Sequence, residues 1–300
     1  MDHGRTLTGT GPAVYNAGMD PNDLLVPTDV GLFCPPGGFY IDPWRPVDRA
    51  VVTHAHADHA CRGCGRYLTS AAGRAVLQVR MGAEAVVDTL APGERVDVNG
   101  VRLSLHPAGH ILGSSQVRVE WNGLVGVVSG DYKTEPDATC DPFEPVKCHV
   151  FISECTFGLP VYRWPAQASV FEAARAWWWG NQEAGKASLL FAYSLGKAQR
   201  LIAGIGNEIG PIYTHGAVET MNRAYRAGGV PLPETAYAAV ASGADWSKSL
   251  IVAPPSAQGS PWMRRFGATS TAFASGWMSI RGARRRRSVD RGFVLSDHVD

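Results

Sequence analysis

Charged residues and cysteines are scarce in this 300-residue sequence, and it contains no long apolar run. Only 18% of the residues are charged whereas 45% are hydrophobic, a balance that excludes a disordered or fibrous chain. No apolar run approaches the roughly 18 residues that a membrane-spanning helix requires, so we expect no integral membrane protein. The first 20 residues also lack the continuous apolar core of a secretory signal.

The few cysteines and the near-neutral charge restrict the protein further. Six cysteines without a secretory signal indicate reduced thiols in the cytoplasm rather than a disulfide framework. A formal net charge of +1 provides no general attraction to nucleic acid, so any site for a polyanion must be a local patch. The 34 glycines and 20 prolines indicate many tight turns, and the composition as a whole predicts a cytoplasmic α/β protein.

The pattern of predicted strands and helices changes along the chain, which predicts two domains. After a Gly-rich leader at residues 1–20, residues 21–158 consist mainly of short predicted strands, which favours a layered sandwich with helices outside. Residues 159–288 alternate strand and helix, the pattern of a parallel α/β unit. Residues 289–300 are predicted to return to the first domain.

Individual elements follow from the spacing of apolar residues. The strands predicted before residue 159 are 39–41, 50–53, 101–105, 117–121, 124–129 and 150–153, and one helix is predicted from Arg74 to about Leu90. After residue 159 the pattern predicts helices at 166–179, 197–205 and 218–227, and strands at 188–193, 212–213, 250–253 and 292–295.

The densest chemical signal is a cluster formed by His54, His56, Asp58 and His59, directly after a predicted strand. Four metal-competent side chains in six residues, spaced by alanines, predict a metal site rather than a chance group of surface histidines. Alanine takes little room, so imidazoles two residues apart can converge on one ion, while Asp58 and His59 can face a second. Imidazole and carboxylate without thiolate suit zinc, with manganese as the alternative.

Four more candidates stand where predicted strands end: Asp42, His110, Asp131 and Glu154. A glycine beside His110 and another beside Asp131 allow a close backbone approach or a special turn. Each residue alone would be an ordinary strand-end side chain. Together with the histidine cluster, they become candidate members of one site.

The order of these motifs resembles the metallo-β-lactamase fold, the αββα sandwich of two-metal hydrolases. Asp42, the segment His54–His59, His110 and Asp131 match the first four motifs of that family in sequence order. The resemblance therefore implies an α/β fold, with a metallo-β-lactamase sandwich that carries an inserted α/β domain.

Two later motifs resemble the β-CASP branch of the family, which contains DNA cross-link repair exonucleases and RNA 3′-end-processing endonucleases. Glu154 in Ser-Glu-Cys-Thr resembles motif A, and His298 in Ser-Asp-His resembles motif B. Segments 34–44, 193–200 and 275–278 look like those of the bacterial DNA-ligase-associated exonuclease group. The inserted domain is accordingly expected to be a β-CASP domain at residues 159–288.

The resemblance implies a centre with two Zn²⁺ ions, with Mn²⁺ as an alternative metal. Three histidines would bind the first ion: His54, His56 and His110. Asp58 and His59 would bind the second ion, Asp131 would bridge both, and Asp42 would orient the cluster from behind. Two such ions lower the pKa of a shared water and hold hydroxide in line with a phosphodiester.

The family pattern also implies roles in catalysis and substrate binding. Asp58 would hydrogen-bond the hydroxide, and His298 paired with Glu154 would protonate the leaving oxygen or hold the phosphate. Ser296 aligns with a serine that contacts a terminal phosphate in the DNA repair branch. Lys197 follows a glycine at a predicted helix start, where an anion site and plain capping are both possible interpretations. A basic run is either a solvated loop or a set of phosphate contacts: Arg284, Arg285, Arg286 and Arg287.

The favoured function is a two-metal-dependent DNA exonuclease that acts in DNA repair or end processing. The alternatives are an RNA-processing endonuclease on the same scaffold and, less favoured, a small-molecule metallo-hydrolase or an inactive scaffold. By resemblance, the implied partners are DNA, with RNA possible, and an ATP-dependent DNA ligase and a helicase.

The sequence ends within a motif, at Ser296-Asp-His298-Val-Asp300. The resembling family continues into a Thr-His-Gly motif C, whose histidine completes the second metal site. We therefore expect a truncated chain that holds its second metal weakly.

Overall fold

A computed structural model describes residues 20, 23–280, 282 and 289–299, and this part of the chain forms three β-sheets and four α-helices. The helices are α1 (Arg74–Met81), α2 (Gln167–Glu183), α3 (Lys197–Ile205) and α4 (Gly216–Ala227). Short 3₁₀ turns occur at Trp246–Lys248, Pro255–Ala257, Pro261–Phe266 and Gly276–Ser279. Within these described residues, no helix is long and apolar enough to cross a bilayer.

The first sheet has six strands in chain order. They are β1 (Val26–Pro27), β2 (Leu32–Cys34), β3 (Phe39–Ile41), β4 (Arg49–Val51), β5 (Arg66–Ser70) and β6 (Val87–Leu90). The first three strands pair antiparallel, whereas β3 to β6 pair parallel. The parallel strands therefore all point their carboxyl ends toward the same edge of the sheet.

The second sheet has five strands in the order β11-β10-β9-β8-β7. They are β7 (Arg95–Val98), β8 (Val101–Pro107), β9 (Ser115–Trp121), β10 (Leu124–Val128) and β11 (Val150–Ile152). Alternate residues of β8 and β9, such as Leu103 opposite Val119, are fully buried. They share one apolar core with Phe39 and Ile41 of the first sheet, so the two sheets pack face to face.

The third sheet is parallel throughout, with six strands in the order β14-β13-β15-β12-β16-β17. They are β12 (Ala187–Phe191), β13 (Ile212–Thr214), β14 (Ala236–Tyr237), β15 (Leu250–Ala253), β16 (Thr269–Ala274) and β17 (Arg291–Phe293). Both faces are covered, because α2 and α3 pack on one face and the 3₁₀ segments pack on the other. The mixed α/β class predicted from the sequence is confirmed.

Helices from both parts of the chain cover the outer face of the first sheet. Val76 and Leu77 of α1 share an apolar cluster with Tyr67 of β5 and with Tyr225 of α4. The segment that contains the third sheet is thereby packed directly against the first sheet. This contact matters for the site, since both parts of the chain reach its edge.

The predicted helix from Arg74 to Leu90 is wrong beyond Met81. Gly82 follows α1 with φ 106°, a backbone conformation that favours glycine and ends the helix. The remaining apolar residues form β6, which pairs parallel with β5. Strands β1, β2, β5, β7, β14 and β16 were also not predicted, because their patterns are short or partly polar.

Residues near the end of the chain differ from the predicted arrangement. Arg291–Phe293 was expected in the first domain, but it adds to the third sheet as a parallel edge strand beside β16. An edge strand needs only one neighbour, so a short apolar segment can join either sheet and the pattern alone does not decide between them. The other domain boundaries stay predictions. Most of the leader at residues 1–20 and the run Arg284–Arg287 lie outside the described residues.

Candidate metal centre

The candidate site lies where strands of the first two sheets end. His54 follows β4, Asp131 follows β10, and Glu154 follows β11, which is parallel to β10. His110 lies in the connection between β8 and β9. One donor atom from each of His54, His56, His110 and Asp131 lies within 4.8 Å of the others.

Three imidazole nitrogens face one another at the centre of this group. Nε2 of His54 lies 3.0 Å from Nδ1 of His56, which lies 3.1 Å from Nε2 of His110. Oδ2 of Asp131 lies 3.5 Å from the His54 nitrogen and 3.7 Å from the His110 nitrogen. Ligand atoms at zinc–nitrogen distances in a tetrahedron are ~3.3 Å apart, so these four distances, 3.0 to 3.7 Å, are compatible with one zinc ion.

The opposite nitrogen of each ring has an oxygen partner. Nδ1 of His54 lies 3.1 Å from the Thr53 hydroxyl, and Nε2 of His56 lies 3.1 Å from the Leu195 carbonyl oxygen. Nδ1 of His110 lies 2.7 Å from the Asp297 carbonyl oxygen. Because a carbonyl accepts only, the rings of His56 and His110 donate there and keep a lone pair on the convergent nitrogen. The partners therefore favour the tautomers that a metal needs.

The charge states of the four residues in this group also suit a cation. Burial, reinforced by His59, lowers the pKa of His54 well below its ordinary value, and burial together with His56 does the same for His110. Burial opposes ionisation of Asp131, but hydrogen bonds from His54 and His59 prevail and lower its pKa. Neutral imidazoles around an ionised carboxylate are the donor set of a zinc or manganese site.

Asp42 holds two of these rings from behind. Its carboxylate accepts hydrogen bonds from the Thr53 backbone N–H at 2.8 Å and from the Thr53 hydroxyl at 2.5 Å. The same carboxylate lies 2.7 Å from Nδ1 of His59, whereas Thr53 in turn contacts His54. Asp42 has φ 45°, an uncommon backbone conformation for a residue with a side chain, and its carboxylate contacts His59 directly and His54 through Thr53.

His59 and Asp58, the predicted ligands of a second ion, differ in their surroundings. Nε2 of His59 lies 3.4 Å from Oδ1 of Asp131 and 3.9 Å from Oδ2 of Asp58. Burial opposes the charged ring, but hydrogen bonds with Asp131 and Asp42 raise the pKa of His59 to about 11. The Asp58 side chain is 78% exposed, so it borders the cluster from the solvent side.

Glu154 and His298, 144 residues apart, form a pair beside Asp131. Nδ1 of His298 lies 2.8 Å from Oε2 of Glu154 and 3.0 Å from Oε1, and the Tyr132 backbone N–H donates to the same carboxylate. With Asp131 they form a second group of donors within 4.8 Å. The indole N–H of Trp164 donates to the His298 carbonyl at 3.1 Å and holds this end of the chain in place.

The predicted phosphate contacts Ser296 and Lys197 are both buried. The Ser296 hydroxyl accepts a hydrogen bond from the His298 backbone N–H at 3.1 Å. The ammonium of Lys197 lies 2.6 Å from Oδ2 of Asp297 and donates to the Leu295 carbonyl at 3.1 Å. Contact of either side chain with a substrate stays a prediction.

Asp297 is a site residue that the sequence reasoning missed. Its side chain binds Lys197 and Arg200, while its carbonyl accepts from His110. Its only sequence signal is its position inside the Ser-Asp-His motif, where the analysis assigned a role to the two neighbours alone.

An open cavity of about 520 Å³ stands over the cluster. Its lining includes the site residues His56, Asp58, His59, His110, Asp131 and His298. Three aromatic residues form another part of the lining: Phe157, Tyr193 and Trp277. Tyr193 and Trp277 are 46% and 40% exposed, so their rings are open to a ligand in the cavity. This aromatic wall was not predicted.

Comparisons with known proteins extend these observations. The chain is 31% identical over 276 residues to a protein named "Probable DNA ligase" from Opitutus terrae. The matched region covers 90% of this chain and 26% of that protein. It is 36% identical over 74 residues to "Endoribonuclease YSH1" from Saccharomyces cerevisiae, and 25% identical over 150 residues to the protein of that name from Yarrowia lipolytica. This chain is a relative of the β-CASP nucleases.

The shared regions are limited in length. The chain spans about a quarter (26%) of the length of the Opitutus protein. It spans 10% of the Saccharomyces protein and 18% of the Yarrowia protein. The yeast matches cover 24% and 37% of this chain. No family model matches the sequence. A crystal structure of a protein of unknown function from Enterococcus faecalis V583 has the same fold, with a TM-score of 0.55, 10% identity, and coverage of 84% of this chain and 70% of that chain.

Proposed function

We propose that this β-CASP relative is a two-metal-dependent nuclease that hydrolyses phosphodiester bonds, and that it cuts DNA from an end. The observation that carries the proposal is the group of four donor atoms within 4.8 Å on the wall of an open cavity. The DNA substrate is favoured by the Opitutus relative, which matches 90% of this chain and is named a probable DNA ligase. We propose a DNA ligase as the functional partner for the same reason.

The roles of the site residues follow from their contacts. Under the proposal three histidines bind the first ion: His54, His56 and His110. Asp131 lies 3.5 Å from His54 and 3.4 Å from His59, so it would be a ligand shared by both ions, and His59 with the exposed Asp58 would hold the second ion. Zinc or manganese bound there would lower the pKa of a water molecule and polarise the phosphate.

His298 is the proposed proton donor to the leaving oxygen. Glu154 accepts a hydrogen bond from Nδ1 of His298 at 2.8 Å, so Nε2 is the nitrogen left for a substrate. His298 lines the cavity, and its ring centroid lies 4.8 Å from that of His110. A carboxylate that holds a ring in this way fixes the orientation of the ring.

The aromatic wall supports a nucleic-acid substrate over a small molecule. Trp277 packs against Phe157 with ring centroids 4.8 Å apart, and it is 40% exposed in the cavity. Nucleobases stack on such rings without regard to sequence. We therefore place the base of the nucleotide being cleaved against Trp277 and its phosphate at the histidine cluster.

RNA cleavage is the second candidate, because the yeast matches are named endoribonucleases. Matched DNA and RNA strands, labelled at the 5′ or the 3′ end, distinguish the two after the purified chain is loaded with Zn²⁺ or Mn²⁺. We expect stepwise shortening of DNA from one end, and no cleavage by the Asp131→Asn variant. Internal cuts confined to RNA would establish the second candidate. Intact DNA and RNA with a chain whose loading is verified by elemental analysis would refute the nuclease proposal.

A further inference from the structure

Arg80 in the last turn of α1 has an unusual environment. It lines the cavity above the histidine cluster and is half-buried. Its Nε is buried without a hydrogen-bond partner, and among the described residues its guanidinium makes no ion pair. Buried donors without partners cost free energy, so such a group calls for a specific explanation.

Other buried cations of this chain are paired. Lys197 and Arg200 both bind the carboxylate of Asp297, at 2.6 and 3.1 Å. Arg118 also has one unpartnered nitrogen, but its guanidinium binds Glu120 at 2.9 Å. Arg80 thus differs from the cations that have a structural partner.

A second guanidinium lies next to Arg80. The exposed Arg62 donates from its Nε to the Arg80 carbonyl oxygen at 2.8 Å. Burial, followed by the charge of Arg62, lowers the pKa of Arg80, and Asp58 opposes this shift. Arg80 lines the cavity and Arg62 lies beside it, so the two cations repel each other, and an anion bound at Arg80 would offset that repulsion.

Capping of α1 does not account for this arginine. A basic residue in the last turn can bind the free carbonyls of a helix end. Here the Arg80 carbonyl accepts from Arg62, the Gln78 amide donates at 2.7 to 3.1 Å to the carbonyls of Gly82, Ala83 and Ala85 just beyond α1, and within the described part of the chain the Arg80 side chain donates to no helix-end carbonyl. The Arg80 side chain instead lies at the cavity, on the side where Asp58 borders the metal cluster.

We propose that Arg80, assisted by Arg62, binds a backbone phosphate of the nucleic-acid strand next to the phosphate held at the histidine cluster. This inference rests on the proposed nuclease function and adds a binding residue to it. A guanidinium presents parallel N–H groups that match two phosphate oxygens. A phosphate would also provide an ion-pair partner, which neither arginine has among the residues that the structure describes.

Binding measurements at several salt concentrations test the proposal directly. Asp131→Asn serves as the background, so that a fluorescent single-stranded DNA is bound without being cut. Removal of one phosphate contact reduces the slope of log affinity against log salt by about 0.7. We expect Arg80→Ala to show this reduction and to bind about tenfold more weakly, and Arg80→Lys to keep the slope with intermediate affinity. Arg74→Ala, on an exposed arginine of the same helix outside the cavity, is the matched control and should keep both values.

Thermal unfolding separates binding from a structural role. Because Nε of Arg80 has no partner, Arg80→Ala should leave the unfolding midpoint unchanged or raise it. A lower midpoint, or a salt slope equal to that of Arg74→Ala, would overturn the phosphate site while leaving the nuclease proposal intact. If the background protein binds neither DNA nor RNA, both proposals fail.

Discussion

Replacement of Asp297 by asparagine should destabilise the protein more than replacement of the lysine that it binds. The Asp297 carboxylate is buried and holds Lys197 at 2.6 Å and Arg200 at 3.1 Å. Burial opposes its ionisation, but these two cations prevail and lower the pKa of Asp297. Asparagine preserves the shape of the side chain and removes the charge, so the two cations lose their shared anion.

The expected cost differs between the partners. Arg200 retains Glu135 at 3.4 Å and Asp137 at 3.6 Å, whereas among the described residues Lys197 keeps only the Leu295 carbonyl. Removal of one member of a buried pair costs about 3–5 kcal/mol, because the other charge stays buried. We expect that loss for Asp297→Asn. Lys197→Met should cost only about 1–2 kcal/mol, since Asp297 keeps Arg200 and loses one charged hydrogen bond.

Urea unfolding at 25 °C, followed by tryptophan fluorescence, measures these differences. The double variant Asp297→Asn with Lys197→Met carries no uncompensated lysine, so it should be more stable than Asp297→Asn alone by at least about 1 kcal/mol. A loss below about 1 kcal/mol for Asp297→Asn would refute the reasoning. A double variant less stable than Asp297→Asn would also refute it, because it would mean that the lysine stabilises the fold without its anion.

Three further predictions concern the site and its cavity. Asp131→Asn should reduce nuclease activity at least about 1000-fold and lower the metal content measured after dialysis, with an unchanged circular dichroism spectrum; near-parent cleavage would contradict the ligand assignment. Trp277→Ala should weaken single-strand binding by about 1–3 kcal/mol and Trp277→Phe should restore most of it, whereas Ala at Trp179, 55% exposed outside the cavity, should have no effect on affinity. Gly113→Ala should lower the thermal midpoint far more than Gly93→Ala. Both glycines have positive φ, but a Cβ atom on Gly113 would lie 2.1 Å from the backbone of Gly73, whereas a Cβ atom on Gly93 would have no atom within 4 Å. Equal midpoints for the two variants would contradict this prediction.

Elements with a strong local signal could be predicted from the sequence. Helix α3 has the predicted bounds Lys197–Ile205, and β15 has the predicted bounds Leu250–Ala253. Helix α3 has apolar residues at helical spacing and β15 is a continuous apolar run, and each is followed by a residue that does not extend it, Gly206 or Pro254. The stretch from Arg74 to Leu90 has an equally apolar pattern, but a single glycine divides it into a helix and a strand. Whether residues after the glycine continue the helix or form a strand depends on whether a neighbouring strand, here β5, can pair with them.

The sequence by itself determined the short-range part of the site. Alanine between His54 and His56 leaves both imidazoles free to face one point, and that spacing is a property of the local chain. The matching glycines beside His110 and Asp131 likewise mark turns after strands. These signals span only a few residues, so they can be recognised in the sequence without any knowledge of the fold.

Only the tertiary structure decided how those rings are held and what surrounds them. His56 and His110 contact the backbone carbonyls of Leu195 and Asp297. Every residue has such a carbonyl, so the amino-acid sequence does not indicate which ones will contact a histidine. Lys197 meets Asp297 across 100 residues, through packing of the third sheet against the site edge. In the sequence, Arg80 looks like any solvent-facing arginine of a helix. Only the folded structure places it at the cavity and, among the described residues, leaves its Nε without a hydrogen-bond partner.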